Sequence, residues 1–279
     1  MRKAVFLLIL VATLYTHALA TWSVIAVDRK TGQVVIASAT CVAQQFFAGF
    51  PAKGLKDVQA IIIPGLGVAA AQANVDRTRQ LQKLIANELN RSTDPVRIID
   101  MLRVQDQNHP SRQYGIVDLK GRAAGYSGAS NGKQSLDRQG KVEGIEVYFS
   151  IQGNILTGDD VIEEAVKAFK QAKGNLADRV MAAMEAADSR GGDRRCNCNT
   201  PPDPPAPCDN KTAHVAYLVV ANKSDKMGEG LNDGNYYLEI QVTDQDIKPD
   251  ENDNPVKTLR IRYDDWVKDH SRRGRSKSH

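Results

Sequence analysis

Apolar residues recur along the chain in two rhythms. The first is strand-like. Val24–Val27 and Val34–Ala37 are apolar runs joined by Asp28-Arg-Lys-Thr-Gly32, a polar turn ending in glycine, so Thr21–Ala39 is expected to form a hairpin. Val58–Ile63 reads as a strand stopped by Pro64-Gly65, and Leu66–Asn74 as a short strand of small residues. Gln113–Asp118 and Arg122–Tyr126 flank Lys120-Gly121 as a second hairpin. Val147–Gln152, Ala213–Ala221 and Tyr236–Thr243 complete the strands. The second rhythm is helical. Leu81, Leu84, Ile85 and Leu89 share one helical face, which predicts a helix over Arg77–Asn90. Thr93 or Asp94 ahead of Pro95 opens another, running through Leu102. Asp159–Ala172 and Asn175–Ala187 are two more, and Trp266 sits in a short helical end.

Strands and helices therefore alternate in groups, not singly. That order favours a layered α+β fold over a doubly wound parallel sheet.

The N-terminus departs from both rhythms. Met1-Arg2-Lys3 is basic, Ala4–Tyr15 is almost unbroken apolar sequence, and Ala18-Leu19-Ala20 is a cleavage-type ending. That plan describes a secretory signal over residues 1–20. The run is too short to cross a bilayer, which needs about 20 apolar residues. The expected location is secreted or periplasmic, without stable membrane insertion. Residues 21–265 are expected to form one domain, followed by a basic tail over 266–279. The net charge of +4 is spread along the chain. A basic face with aromatic partners is missing, which argues against nucleic acid as a partner. Export also permits disulfides. Cys196 or Cys198 could pair with Cys208 across a Pro-rich loop, leaving Cys41 for the other. Against a metal site stand the lack of paired CxxC spacing and the presence of only His214 nearby. No cofactor is expected.

Cleavage after Ala20 would leave Thr21 first. An N-terminal threonine carries a hydroxyl nucleophile and, in its own α-amine, a base with a pKa near 8. Gln152 and Asn154 flank Gly153 and offer amide donors for an oxyanion, or else a helix-capping turn. The pair Gly191-Gly192 can end a helix, with Asp193 and Arg194 following. A buried Asp193–Arg194 site would orient the N-terminus or a substrate carboxylate, the plainer reading being a solvated loop. Ser38 and Arg194 are the expected substrate contacts.

The stretch "TWSVIAVDRKTGQVVIASATC" (Thr21–Cys41) resembles the opening hairpin of N-terminal-nucleophile hydrolases, the proteasome-subunit-like class. Further blocks are "PGLGVAAAQA" from Pro64, "QYGIVDLKGRAAGYSG" from Gln113, "FSIQGNIL" from Phe149 and "GGDRR" from Gly191. Together they resemble an uncharacterised family, domain of unknown function 1028. The resemblance implies an α+β four-layer αββα sandwich, Ntn-hydrolase-like, with residues 196–208 as an insertion. Two features depart from the proteasome pattern. An aspartate expected near the end of the second strand is replaced by Ala37-Ser38-Ala39-Thr40. A lysine expected on the next strand, to lower nearby pKa values by its charge, has only Lys53 and Lys56 as candidates.

The expected function is hydrolysis of an amide or peptide bond with Thr21 as nucleophile. Gln152 and Asn154 would serve the oxyanion, with Asp193, Lys53 and Lys56 setting charge. The alternative is an inactive module of the same fold that binds or supports something at the cell envelope, which the missing aspartate favours. A peptide or amide substrate, and at most a second copy of the chain as a homodimer, are the partners allowed for.

Overall fold

The computed structural model describes residues 21–49 and 52–276, the side chains as far as Ser271. The expected signal, its cleavage point and the last residues of the tail lie outside them. The fold mixes α and β structure around two antiparallel sheets. In the six-stranded sheet the order is β10 (Leu238–Thr243), β9 (Val215–Ala221), β2 (Gln33–Thr40), β1 (Thr21–Asp28), β8 (Val147–Asn154), β7 (Leu136–Lys141). The four-stranded sheet runs β3 (Ala60–Ile63), β4 (Gly67–Ala73), β5 (Arg112–Asp118), β6 (Ala123–Ser127).

Strand periodicity sorts side chains between three apolar clusters. On β1, Ile25 and Val27 join Val34, Ile36, Ile62, Val68, Ala70 and Val117 in a cluster that connects the sheets. Trp22, Val24 and Ala26 turn the other way, onto α4 (Asp160–Gln171), α5 (Leu176–Ser189) and the start of α6 (Pro255–Ser276). Ile61, Ala69, Tyr114 and Ile116 pack with α2 (Gln80–Asn90) and α3 (Pro95–Gln105). Each valine or isoleucine among them, removed from water, stabilises the fold by roughly 1.5–3 kcal/mol.

Local chemistry sets the helix ends. The Asp94 side chain accepts from Val96 N at 3.0 Å, with Pro95 in the first turn. Asn175 and Asp178 cap α5 reciprocally. That helix stops at Gly191-Gly192, where Gly192 N reaches back to Ala187 O at 3.1 Å. Gly192 has φ +45°, and a Cβ there would lie 2.7 Å from the Trp22 ring, so glycine lets this turn close against β1.

Several elements differ from the sequence expectation, four of them in ways that matter here. Val58 and Gln59 end a short helix, α1 (Leu55–Gln59), and the strand starts only at Ala60. β7 carries no apolar alternation because it is an edge strand of polar letters, LDRQGK. The last strand starts at Leu238, two residues later than expected. The C-terminal helix begins at Pro255 and continues through Trp266 into the basic tail. Val256, Leu259 and Tyr263 bury its first turns, and Trp266 meets Tyr237 edge-on at 5.2 Å, so position 265 is no domain boundary.

Candidate active site

Thr21 is the first residue of β1, a strand hydrogen-bonded on both sides. It lies opposite Thr40 on β2 and opposite Asn154 on β8. Thr21 is 1% exposed, and its Oγ1 donates to Thr40 Oγ1 at 3.4 Å. Thr40 Oγ1 also accepts from Val42 N at 3.2 Å. The Thr21 carbonyl accepts from Gln72 Nε2 at 3.1 Å and from Asn154 Nδ2 at 3.5 Å.

Beneath Thr21 the space between the sheets becomes polar. Ser23, Gln72, Gln113, Gln152 and Asn154 replace the aliphatic residues found further along. Ser23 Oγ donates to Gln72 Oε1 at 2.6 Å and accepts from Gln152 Nε2 at 2.6 Å. Gln72 Nε2 and Asn154 Nδ2 both donate to Gln113 Oε1, at 2.8 and 3.0 Å. Gln113 Nε2 then reaches Gly153 O at 2.8 Å and Ser127 Oγ at 2.9 Å. Gln59 Nε2 adds a bond to Gln72 Oε1 at 2.7 Å, and Tyr217 donates to Gln59 Oε1 at 2.8 Å. Burial raises the Tyr217 pKa well above its ordinary value, so this hydroxyl stays a donor. Most polar atoms here are satisfied, as buried amides must be if they are not to destabilise the core. Asn154 Oδ1 is an exception: it is buried and has no hydrogen-bond partner among the described residues.

The sequence-derived candidates separate into two groups. Thr21, Gln152 and Asn154 are brought together. Gln152 has its amide committed, with Nε2 on Ser23 and Oε1 accepting from Ser150 Oγ at 2.8 Å. Ser38 is buried and donates to Trp22 O at 2.7 Å, so it braces β1. Asp193 is fully buried and forms an isolated β-bridge with Leu156, two residues beyond Asn154. It accepts from Cys41 N at 2.9 Å, tying it to the residue after Thr40. Its cationic partner is Arg195, at 2.8 Å, whereas Arg194 is exposed and reaches Gln134 Oε1 at 3.3 Å.

The two lysines fall elsewhere. Lys56 ends on Glu239 at 2.6 Å, on β10, which is three strands from β1. Strand spacing makes that separation about 14 Å. Lys53 has an exposed side chain, and its backbone N–H donates to Asp57. Proximity in sequence was misleading because the segment after β2 leads away across the sheet toward β9 and β10.

Beside Asp193 sits one of two disulfides, Cys41–Cys196; the other is Cys198–Cys208. This selects one of the pairings left open by the sequence. Among the described residues no helix is long and apolar enough to cross a membrane. Together with the disulfides, that is compatible with a secreted or periplasmic protein. His214 N donates to Thr40 O at 2.7 Å. Burial, helped by the charges of Lys211 and Arg195, pushes its imidazole pKa down to about 4, so the ring is neutral.

Sequence reading missed Gln59, Gln72, Gln113, Thr40 and Arg195. Its only usable signal was parity: Gln72 and Gln113 are inward positions on short apolar strands.

No curated protein matches the sequence. Eukaryotic HslV from Trypanosoma brucei aligns with TM-score 0.36 and 15% identity over 60% of this chain and 90% of that one. The crystal structure of a DUF1028 protein from Silicibacter pomeroyi aligns with TM-score 0.61 and 19% identity over 88% of each chain, so the two share a fold. The family model described as "Family of unknown function (DUF1028)" matches residues 21–201, and the chain belongs to that family.

Proposed function

We propose that this protein is an exported hydrolase of the N-terminal-nucleophile type, acting on an amide or peptide bond through Thr21 after the leader is removed. The observation that carries this is the position of Thr21. It begins an interior strand, with a second hydroxyl at 3.4 Å and an amide side chain directly opposite, above a buried polar network. Three apolar clusters alternating with two antiparallel sheets support an αββα layering of that class.

Removal of residues 1–20 would create an α-amine beside Oγ1. The amine takes the hydroxyl proton as Oγ1 attacks the substrate carbonyl carbon. Asn154 Nδ2 reaches the oxyanion by releasing its long 3.5 Å bond to the Thr21 carbonyl. The leaving amine departs with the proton, and water then hydrolyses the Thr21 ester. Gln152 and Ser38 hold β1 in place. Asp193, buried and paired with the partly exposed Arg195, supplies fixed charge beside Thr40, while the cation expected from Lys53 or Lys56 is not replaced.

Intact-mass measurement, N-terminal sequencing and treatment with a β-lactone test this. The expected result is a chain starting at Thr21 that gains one covalent adduct on that residue. Thr21→Ala should abolish labelling and Thr21→Ser should retain it. A mature chain that starts elsewhere, or one starting at Thr21 that never labels, would replace this reading with the binding module. The saturated Gln152 and Ser38 side chains are the observation that favours that second reading.

A further inference from the structure

The fold brings Cys41, Cys196 and His214 together from three distant parts of the sequence. Each offers one ligand-type atom, and the three atoms lie within 4.8 Å of one another. His214 is buried, and its Nδ1 has no hydrogen-bond partner among the described residues. A tetrahedral zinc ion binds sulfur at about 2.3 Å and imidazole nitrogen at about 2.0 Å, which places its ligands within about 4 Å of each other. The imidazole already lies within 4.8 Å of both sulfurs, and the sulfurs, bonded to each other, must part to reach that spacing.

We propose that this is a redox-gated zinc site. The Cys41–Cys196 disulfide closes it, and reduction opens it to a zinc ion held by two thiolates and the His214 imidazole. In this reaction the S–S bond takes two electrons and two protons from a dithiol, which leaves as its own disulfide. Zinc then binds with release of the two thiol protons. Thiolate and imidazole donors suit zinc over harder cations such as magnesium or calcium. Three protein ligands leave the fourth position open.

The ligand positions do not depend on the S–S bond. Cys41 N donates to Asp193 Oδ2 at 2.9 Å and Cys196 N to Asp193 O at 3.2 Å, while His214 N donates to Thr40 O at 2.7 Å. One buried aspartate thus holds both cysteine backbones, and the residue beside Cys41 holds the histidine backbone. Side-chain rotation alone must separate the sulfurs. The second disulfide, Cys198–Cys208, takes no part. The proposal stands independently of whether Thr21 is a nucleophile, although the site adjoins Thr40.

The test is cobalt binding by the full mature chain, reduced with a phosphine and freed of it anaerobically. The expected result is one Co²⁺ per chain with a thiolate-to-cobalt charge-transfer band, displaced by Zn²⁺, and no binding by the oxidised chain. His214→Gln should weaken binding by more than the roughly 10- to 100-fold that loss of an outer-shell partner causes. The Cys198→Ser/Cys208→Ser double variant should bind as the parent does. The idea fails if no band appears, if His214→Gln leaves the band intact, or if the double variant abolishes it. If reduction unfolds the chain, circular dichroism decides: zinc should restore the native spectrum of the parent and not of His214→Gln. A reduced chain that zinc cannot refold also overturns the proposal.

Discussion

The space between the two sheets has two unlike ends. At one, Ile25, Val27, Val34, Ile36, Val68 and Val117 pack as a dry aliphatic cluster. At the other, β1, β4, β5 and β8 carry Thr21, Ser23, Gln72, Gln113, Gln152 and Asn154, joined by hydrogen bonds. The two ends are equally buried but hold together differently. The aliphatic end gains from area removed from water and tolerates modest repacking. The polar end gains little net free energy, yet it permits one arrangement of its amides. The chain places its candidate nucleophile at the end specified by direction, where geometry is fixed more sharply than stability.

Substitutions can break this contrast, and the largest expected effect is at the aliphatic end. Ile36→Ala should cost about 3–4 kcal/mol in denaturant unfolding, by lost transfer energy plus a cavity, while leaving Thr21 labelling intact. At the polar end Gly115 leaves room for Gln152: a Cβ there would sit 2.3 Å from Gln152 Oε1. Gly115→Ala should expel that side chain and orphan its partners, costing about 2 kcal/mol, and should slow labelling despite the smaller penalty.

His109 sharpens the contrast because it is buried outside any network. Both ring nitrogens and the nearby Tyr114 hydroxyl have no hydrogen-bond partner among the described residues, and His109 stacks on Tyr126 at 3.9 Å. Burial lowers its pKa, so the native ring stays neutral while the unfolded one takes a proton below pH ~6.5. Stability should fall as pH drops through that value, by no more than about 1.4 kcal/mol per unit. His109→Gln should flatten that slope relative to the parent in paired unfolding titrations. The smallest stability change belongs to Thr21→Ala, which removes the 3.4 Å hydroxyl contact to Thr40. A loss under about 0.5 kcal/mol is expected, together with complete loss of labelling.

What was legible in the sequence follows the same division. The β1–β2 hairpin and the helices α4 and α5 were readable because apolar periodicity is strong there and their glycines and caps are local. β7 was not, since an edge strand needs no buried face. α1 was hidden because Val58-Gln59-Ala60 leads into Ile61–Ile63 with no glycine or proline to mark the end of the helix. Thr21 and Asn154 were legible as candidates from their flanking strands. Gln72 is a single polar letter among alanines and Gln113 sits beside Arg112 at a strand start, and their role depends on which strands the sheets place face to face. Arg195 passed unnoticed beside Arg194 because only the fold decides which of two adjacent arginines turns toward Asp193.

The contacts that complete the site span long stretches of chain. Ser23 and Gln152 are 129 residues apart, Thr21 and Asn154 133, and Cys41 and Cys196 155. Ordering such a loop costs entropy before the contact returns any free energy, so contacts of this range form slowly. The hairpin that carries Thr21 is local and can form early, but its surroundings are assembled only once both sheets have met. A partly folded chain therefore holds the candidate nucleophile without its frame, and completion of the site becomes a report that folding has finished.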